Sequence, residues 1–204
     1  STFREVITFG GIRWVAQLEG LLRFQLDRIL IAHFVGFALV GPYHLASMLV
    51  TRIMMLPQML ISSLVPASAE IHDTHRDVLL DRLYRDGTRY VMMLAAPLLA
   101  FLMCAIESIL KVWLGDVDAN AVKAVYWMAP TFLVMSTARV ATARAVGIGR
   151  PDIQMKTGIV QGTVNVLVSL ALVRTLGFIV PLVATLVCAS GSTACLLVWV
   201  SRLL

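Results

Sequence analysis

The side chains of this protein that could do chemistry are concentrated where an apolar surrounding ought to forbid them. Between about Thr8 and Phe34 an otherwise apolar run carries Arg13, Gln17, Glu19, Arg23, Gln25, Asp27 and Arg28. At 100° per residue, Arg13, Gln17, Gly20, Arg23, Asp27 and Arg28 fall within an arc of about 140°, with Val15, Leu22, Leu26 and Ile29 opposite. Each charge at bilayer depth costs roughly 2.5–3.5 kcal/mol on insertion scales. Glu19 with Arg23, and Arg23 with Asp27, are spaced i, i+4 and reduce that cost by pairing. Arg13 and Arg28 have no such partner in the same helix. A cationic wall suits an anionic headgroup. Neutralisation by neighbouring helices is the competing reading, as is snorkelling of Arg13 and Arg28 to the membrane borders. The candidate binding set is Arg23 as headgroup contact, Arg13, Gln17 and Arg28 beside it, and Asp27 as an orienting or ion-coupling carboxylate.

Other polar residues are read as follows. Ser47, Thr51, Gln58 and Ser62 lie on one stripe of a second apolar segment, which suits helix packing or a cavity lining. Pro57 should kink that segment and free backbone carbonyls. Arg52 lies off the stripe and is a possible partner for Glu107. Arg139 and Asn165 are further polar residues at bilayer depth, with hydrogen bonding across helices the default for Asn165. Catalytic constellations are poor. His33, His44, His72 and His75 all fall in the first 75 residues. There is no His-Glu-x-x-His and no phosphate-binding glycine loop. His72-x-x-His75 beside Asp73 and Asp77 is a weak metal pattern. Ser190-Gly191-Ser192 reads as small-residue packing, since no late histidine is present to activate a serine. Cys104, Cys188 and Cys195 lie in apolar runs without metal-ligand spacing and read as buried hydrophobes. No catalytic residue, metal or cofactor is expected, and the chain is read as a non-enzyme.

The elements that must position these residues follow from composition. Of 204 residues, 59% are hydrophobic and 14% charged, and mean hydropathy is +0.85. A soluble domain averages about 45–50% apolar and about 25% charged, so an ordinary soluble enzyme, a disordered chain and a disulfide scaffold are excluded. The expected fold is all-α and integral to a membrane, a bundle of six transmembrane helices. The segments run from about Thr8 to Phe34, Pro42 to Val65, Tyr90 to Trp113, Ala121 to Val146, Ile153 to Val173 and Phe178 to Val200. Together residues 1–204 form a single bundle, with residues 70–89 a charged connector. Within it Val78, Leu79, Leu83 and Tyr84 recur near helical spacing, which fits a short amphipathic surface helix or a solvated loop. Gly36, Gly41-Pro42, Gly147, Gly149, Pro151 and Gly177 punctuate the segments.

The net charge of +5 reflects 17 Lys and Arg against 12 Asp and Glu. With the N-terminus inside, nine of the basic residues fall on the cytoplasmic face, three on the opposite face and five within spans. That bias places both termini of this segment in the cytoplasm. Without a basic block interleaved with aromatics, nucleic acid is not an expected partner. The chain opens on Ser1 without the features of a signal peptide, and is expected to be a piece of a longer protein.

The run Gln25-Leu26-Asp27-Arg28-Ile29-Leu30-Ile31-Ala32, then Gly36 and Val40-Gly41-Pro42-Tyr43 with Ala46, resembles the polysaccharide flippase family. Leu64-Val65-Pro66, Ala96-Pro97, Trp113-Leu114-Gly115, Gly149-Arg150-Pro151 with Asn165, and Gly177 with Ala184-Thr185 extend the resemblance over nearly the whole chain. Val180-Pro181 departs from the family's usual Gly-Ala pair. The resemblance is strongest to the C-terminal half of such proteins, within the multidrug/oligosaccharidyl-lipid/polysaccharide exporter superfamily. It implies one half of a two-bundle transporter of the bacterial inner membrane, flipping a polyprenyl pyrophosphate-linked oligosaccharide by alternating access. The implied partners are membrane lipid, the lipid-linked oligosaccharide and a missing N-terminal six-helix bundle. A multidrug or cation antiporter of the same superfamily is the first alternative, and a non-transporting membrane scaffold the second.

Overall fold

The computed structural model describes residues 10–11, 14, 25–73, 77–176 and 179–202, and none of these lies in a β-strand. Residues 25–30 form α1, which passes into a π-helical turn at Ile31–Val35. After a short 3-10 turn at Phe37–Leu39 come α2 (Val40–Ile53), α3 (Met55–Asp73), α4 (Asp77–Leu114), α5 (Ala119–Gly147), α6 (Pro151–Leu176) and α7 (Ile179–Arg202). The all-α expectation therefore holds for the described residues. Helices occupy the positions of all the apolar segments, with α1 the described end of the first.

Local chemistry sets the boundaries. Gly36, at φ 134° and ψ 143°, donates its N–H to the Ile31 carbonyl at 2.9 Å and closes the wide turn. That backbone region is essentially glycine's alone. Asp118 caps α5, its carboxylate accepting from the N–H groups of Asn120 and Ala121 at 2.8 and 3.4 Å. Gly149, at φ 78°, turns the chain out of α5, and Pro151 opens α6, where its missing N–H costs nothing.

The kink expected from Pro57 is present. The segments Phe37–Ile53 and Met55–Ile71 meet at a 52° bend. Pro57 is the third residue of α3 and supplies no N–H to the Ile53 carbonyl one turn earlier. The flanking bonds survive, from Met54 N–H to the Val50 carbonyl and from Gln58 N–H to the Met54 carbonyl, both 3.0 Å. Along the predicted stripe, Ser47 is buried on α2, whereas Thr51, Gln58 and Ser62 are exposed.

Residues 77–89 are not a separate connector helix. They are the start of α4, which continues unbroken for 38 residues, about 57 Å at 1.5 Å per residue. A hydrocarbon core of about 30 Å holds only part of it. Val78–Leu114 is long and apolar enough to cross a membrane, as is the bent α2–α3 pair taken as one span. Leu182–Ala194 is a shorter apolar helix.

The helices pack around α5, which touches α2, α3, α4, α6 and α7. Its buried face is rich in small residues, among them Ala121, Ala124, Ala129, Ala141 and Ala145, which let neighbouring backbones approach. The core is apolar, and it also takes in Asp27, Thr131, Ser136, Arg144, Asn165 and Ser169, while large apolar side chains such as Ile29, Phe101, Val112, Val160, Leu167 and Val187 are exposed.

Candidate functional site

Of the predicted site residues, Asp27 and Arg28 are described, and Arg13, Gln17 and Arg23 lie outside the described residues, as does Glu19. On α1 the predicted polarity is met: Asp27 is 2% exposed, whereas Ile29 is 60% exposed and Leu26 also faces out. A buried carboxylate needs hydrogen-bond donors. Tyr43, one turn into α2 and itself buried, donates its hydroxyl to the Asp27 Oδ2 at 3.1 Å. The Gly36 turn folds α2 back on α1 and sets the two side chains at one height. Arg28 is half-buried, and its Nε makes no hydrogen bond among the described residues.

A second polar pair lies between α6 and α7. The Asn165 Nδ2 donates to the Thr185 Oγ1 at 2.9 Å, which bears out hydrogen bonding across helices for Asn165. That bond fixes the amide and turns its Oδ1 elsewhere. The Asn165 Oδ1 is buried without a partner among the described residues, as is the Ser169 Oγ one turn further along the same face. Such groups cost roughly 1–3 kcal/mol each when left unsatisfied.

The two pairs share a level. Leu182 of α7 packs in the same buried cluster as Ile31 and Tyr43, and α6 touches the Ile31–Val35 turn. The chain reverses between successive long helices, so α1 and α7 run in opposite directions. Asp27 is four residues before Ile31 and Thr185 three residues after Leu182, which moves both toward the same end by about one turn. The Asp27–Tyr43 pair and the Asn165–Thr185 pair thus border one apolar cluster, which Ile31 and Tyr43 share with Leu182.

The opposite end is built differently. Arg144 of α5, 5% exposed, pairs with Asp81 of α4 at 2.8 Å and lies 5.7 Å from the Tyr84 ring centre. Gly147 abuts α3 so closely that a Cβ there would lie 2.5 Å from the Ser68 Cβ and 2.7 Å from the Val65 carbonyl oxygen. These contacts bring the end of α3, the start of α4 and the end of α5 together, and with them Arg82, Arg85, Arg89, Arg144 and Arg150. Nearer mid-bundle, Arg139 of α5 donates to the Gln58 side chain of α3.

Several other expectations change. Arg52 and Glu107 are both exposed, and none of the described ion pairs joins them. The Ser190-Gly191-Ser192 run is no packing contact within the bundle: Ser190 bonds its own helix at the Leu186 carbonyl, and a Cβ on Gly191 would meet open space. Cys104 is exposed on α4, while Cys188 is buried. Among the described residues, no group of three or more His, Cys, Asp or Glu converges as a metal site.

The fold has counterparts among solved transporters. It matches a multidrug resistance MATE family transporter of the MOP superfamily in its outward-facing conformation. The TM-score is 0.78 at 16% identity, over 96% of this chain and 44% of that one. It also matches MATE in a bent conformation, with a TM-score of 0.72 at 13% identity, over 97% of this chain and 44% of that one. The architecture is therefore that of part of a MATE transporter, and the chain spans under half the length of these proteins. Residues 1–123 match the polysaccharide biosynthesis protein family, and the chain belongs to that family. No curated protein matches it.

Proposed function

We propose that this chain is the C-terminal bundle of a flippase that moves a polyprenyl pyrophosphate-linked oligosaccharide from the cytoplasmic to the outer leaflet of a bacterial inner membrane. Residues 1–204 form one bundle, completed by an N-terminal six-helix bundle. The cavity between the two alternates in access by rocking. The observation that carries this reading is the inward turn of the polar face of α1. Asp27 is held inside by Tyr43, and Arg28 beside it keeps a buried Nε without a hydrogen bond among the described residues. By the helical periodicity of the sequence, Arg13, Gln17 and Arg23 extend that face as a cationic wall for the pyrophosphate, with Arg23 as the principal contact. Family membership supports a saccharide as the cargo, and the MATE-like fold supports transport. The basic end formed by α3, α4 and α5 faces the cytoplasm by the positive-inside rule, which places both termini of this segment there. Residues 70–89 lie at that face.

Export complementation by the intact protein tests the proposal. Arg23→Ala and Arg28→Ala should each lower export at least about tenfold, the loss of about 1.4 kcal/mol of headgroup binding, while the protein still reaches the membrane. Wild-type export by both variants would remove the cationic wall from the mechanism. The fold's likeness to a multidrug transporter favours a second reading, an antiporter for drugs or cations. Copurification of the protein with anionic polyprenyl lipid supports the flippase, and efflux of cationic dyes without such lipid supports the antiporter. If neutral replacements along α1 spared export and disturbed only assembly, a scaffold role would replace both.

A further inference from the structure

The outward face of α4 changes character along its length. At 100° per residue, Arg82, Arg85, Arg89, Met93, Ala96 and Ala100 fall within an arc of about 80°. All of them are exposed, while Leu80, Val91, Ala95, Leu99 and Leu102 on the other side of the helix are buried. The outward face is therefore basic for two turns and apolar from Met93 onward. Aromatic side chains mark where it crosses the borders of a membrane. Tyr90 and Trp113, both exposed, are separated by about 35 Å of helix at 1.5 Å per residue. Such residues settle at the two edges of a hydrocarbon core of about 30 Å. Arg89 thus lies at one edge, with Arg85 about 6 Å and Arg82 about 10 Å further out, at the level of the headgroups.

Other cations at this end of the bundle are matched within the protein. Arg144 is paired with Asp81, and Arg150 and Lys156 share Asp152 at 3.8 and 3.7 Å. Arg82, Arg85 and Arg89 enter none of the described ion pairs. Asp86, exposed on the flank of the same two turns, offsets one of their three charges. We propose that this face of α4 binds an anionic phospholipid, with the phosphate among Arg82, Arg85 and Arg89 and an acyl chain along Met93, Ala96 and Ala100.

The continuity of the basic and apolar stretches selects a lipid over other anions. The face is convex and open, so a free phosphate would meet only solvent-screened charges there. A phospholipid brings its phosphate to the border on its own chains, where each basic residue contributes about fivefold in affinity. Guanidinium groups suit the part, since they donate paired N–H bonds to phosphate oxygens. A soluble protein could reach the basic turns but not the apolar stretch, which lies below the border. The site goes beyond the flippase reading and stands whatever cargo the transporter carries.

The test titrates phosphatidylglycerol or phosphatidylcholine into the intact protein in a neutral detergent, reading bound lipid by native mass spectrometry and stability by thermal unfolding. The wild type should hold phosphatidylglycerol at least about tenfold more tightly than phosphatidylcholine, and rising salt should shrink the preference. Arg82→Gln, Arg85→Gln and Arg89→Gln combined should weaken phosphatidylglycerol about a hundredfold and leave the unfolding temperature in phosphatidylcholine unchanged, because all three side chains are exposed. The three corresponding lysine substitutions should keep most of the binding. Arg150→Gln, which removes a charge at the same end but off this face, should keep all of it. Equal binding of the two lipids by the wild type would overturn the site, as would a loss in Arg150→Gln as large as in the triple glutamine variant. Glycerophosphate that stabilises the protein as strongly as phosphatidylglycerol would assign the face to a soluble anion instead. A triple glutamine variant that keeps phosphatidylglycerol and loses a protein copurifying with the wild type would assign it to that protein, and the proposal would fall.

Discussion

Where α3, α4 and α5 converge, the bundle closes on itself. Arg144 has a carboxylate and an aromatic face for partners, and Gly147 allows α3 to come within contact of the α5 backbone. Between α6 and α7 the polar groups lie deeper, yet the Asn165 Oδ1 and the Ser169 Oγ end without partners among the described residues. The two regions differ in satisfaction, and Asp81 in the first is partly open to solvent. A buried ion pair matched inside the protein holds helices together.

The largest effect expected on this contrast comes from Gly147→Leu. The side chain has nowhere to go but into Ser68 and the Val65 carbonyl, and destabilisation should reach or exceed the top of the ~1–3 kcal/mol range for overpacking. Thermal unfolding of the purified protein, or loss of its monodisperse peak, measures this. Next comes Arg144→Ala, which strips Asp81 of its counter-charge. Asp81 is partly open to solvent, so the loss should be about 2 kcal/mol by thermal unfolding, between the values for buried and exposed pairs. Tyr43→Phe should cost about 1–2 kcal/mol in thermal unfolding, for the loss of a hydrogen bond to a buried carboxylate. The smallest effect should be that of Gly191→Ala, a helical glycine facing open space. It should raise stability by about 0.5–1 kcal/mol through reduced backbone freedom, the opposite sign to any substitution at Gly147.

Much of the scaffold could be read from residue order because its signals are local. Gly36, Asp118 and Gly149-Arg150-Pro151 act through the backbone of their own few residues, and the elements begin or end where they stand. Pro57 is legible for the same reason, since a missing N–H affects only the carbonyl one turn back. The start of α4 was harder to read. Hydropathy falls across residues 77–89, but no proline interrupts them, and Gly87 serves packing by leaving room for Leu64; a drop in hydropathy is not a helix stop. The site was legible in half. The inward turn of Asp27 follows from helical periodicity, and a tyrosine in the first turn of α2, seven residues past Gly36, is the cue that could have announced Tyr43. The alliance of α1 with α6 and α7 joins residues more than a hundred positions apart. The pairing of Arg139 with Gln58 spans 81 positions. Neither leaves a periodic trace. The proposed pairing of Arg52 with Glu107 failed on the same ground, because charge type alone does not say which helices are neighbours.

The bend at Met54 has a consequence for how motion would spread. One crossing of the chain is divided there into two rods, the first in contact with Asp27 and the second clamped beside Gly147. A tilt of the first rod is absorbed at the elbow, so rearrangement around Asp27 need not pry apart the tightly fitted end. The molecule thus carries a soft joint in series with a stiff one, and the proline that splits the rod decides where the flexing occurs.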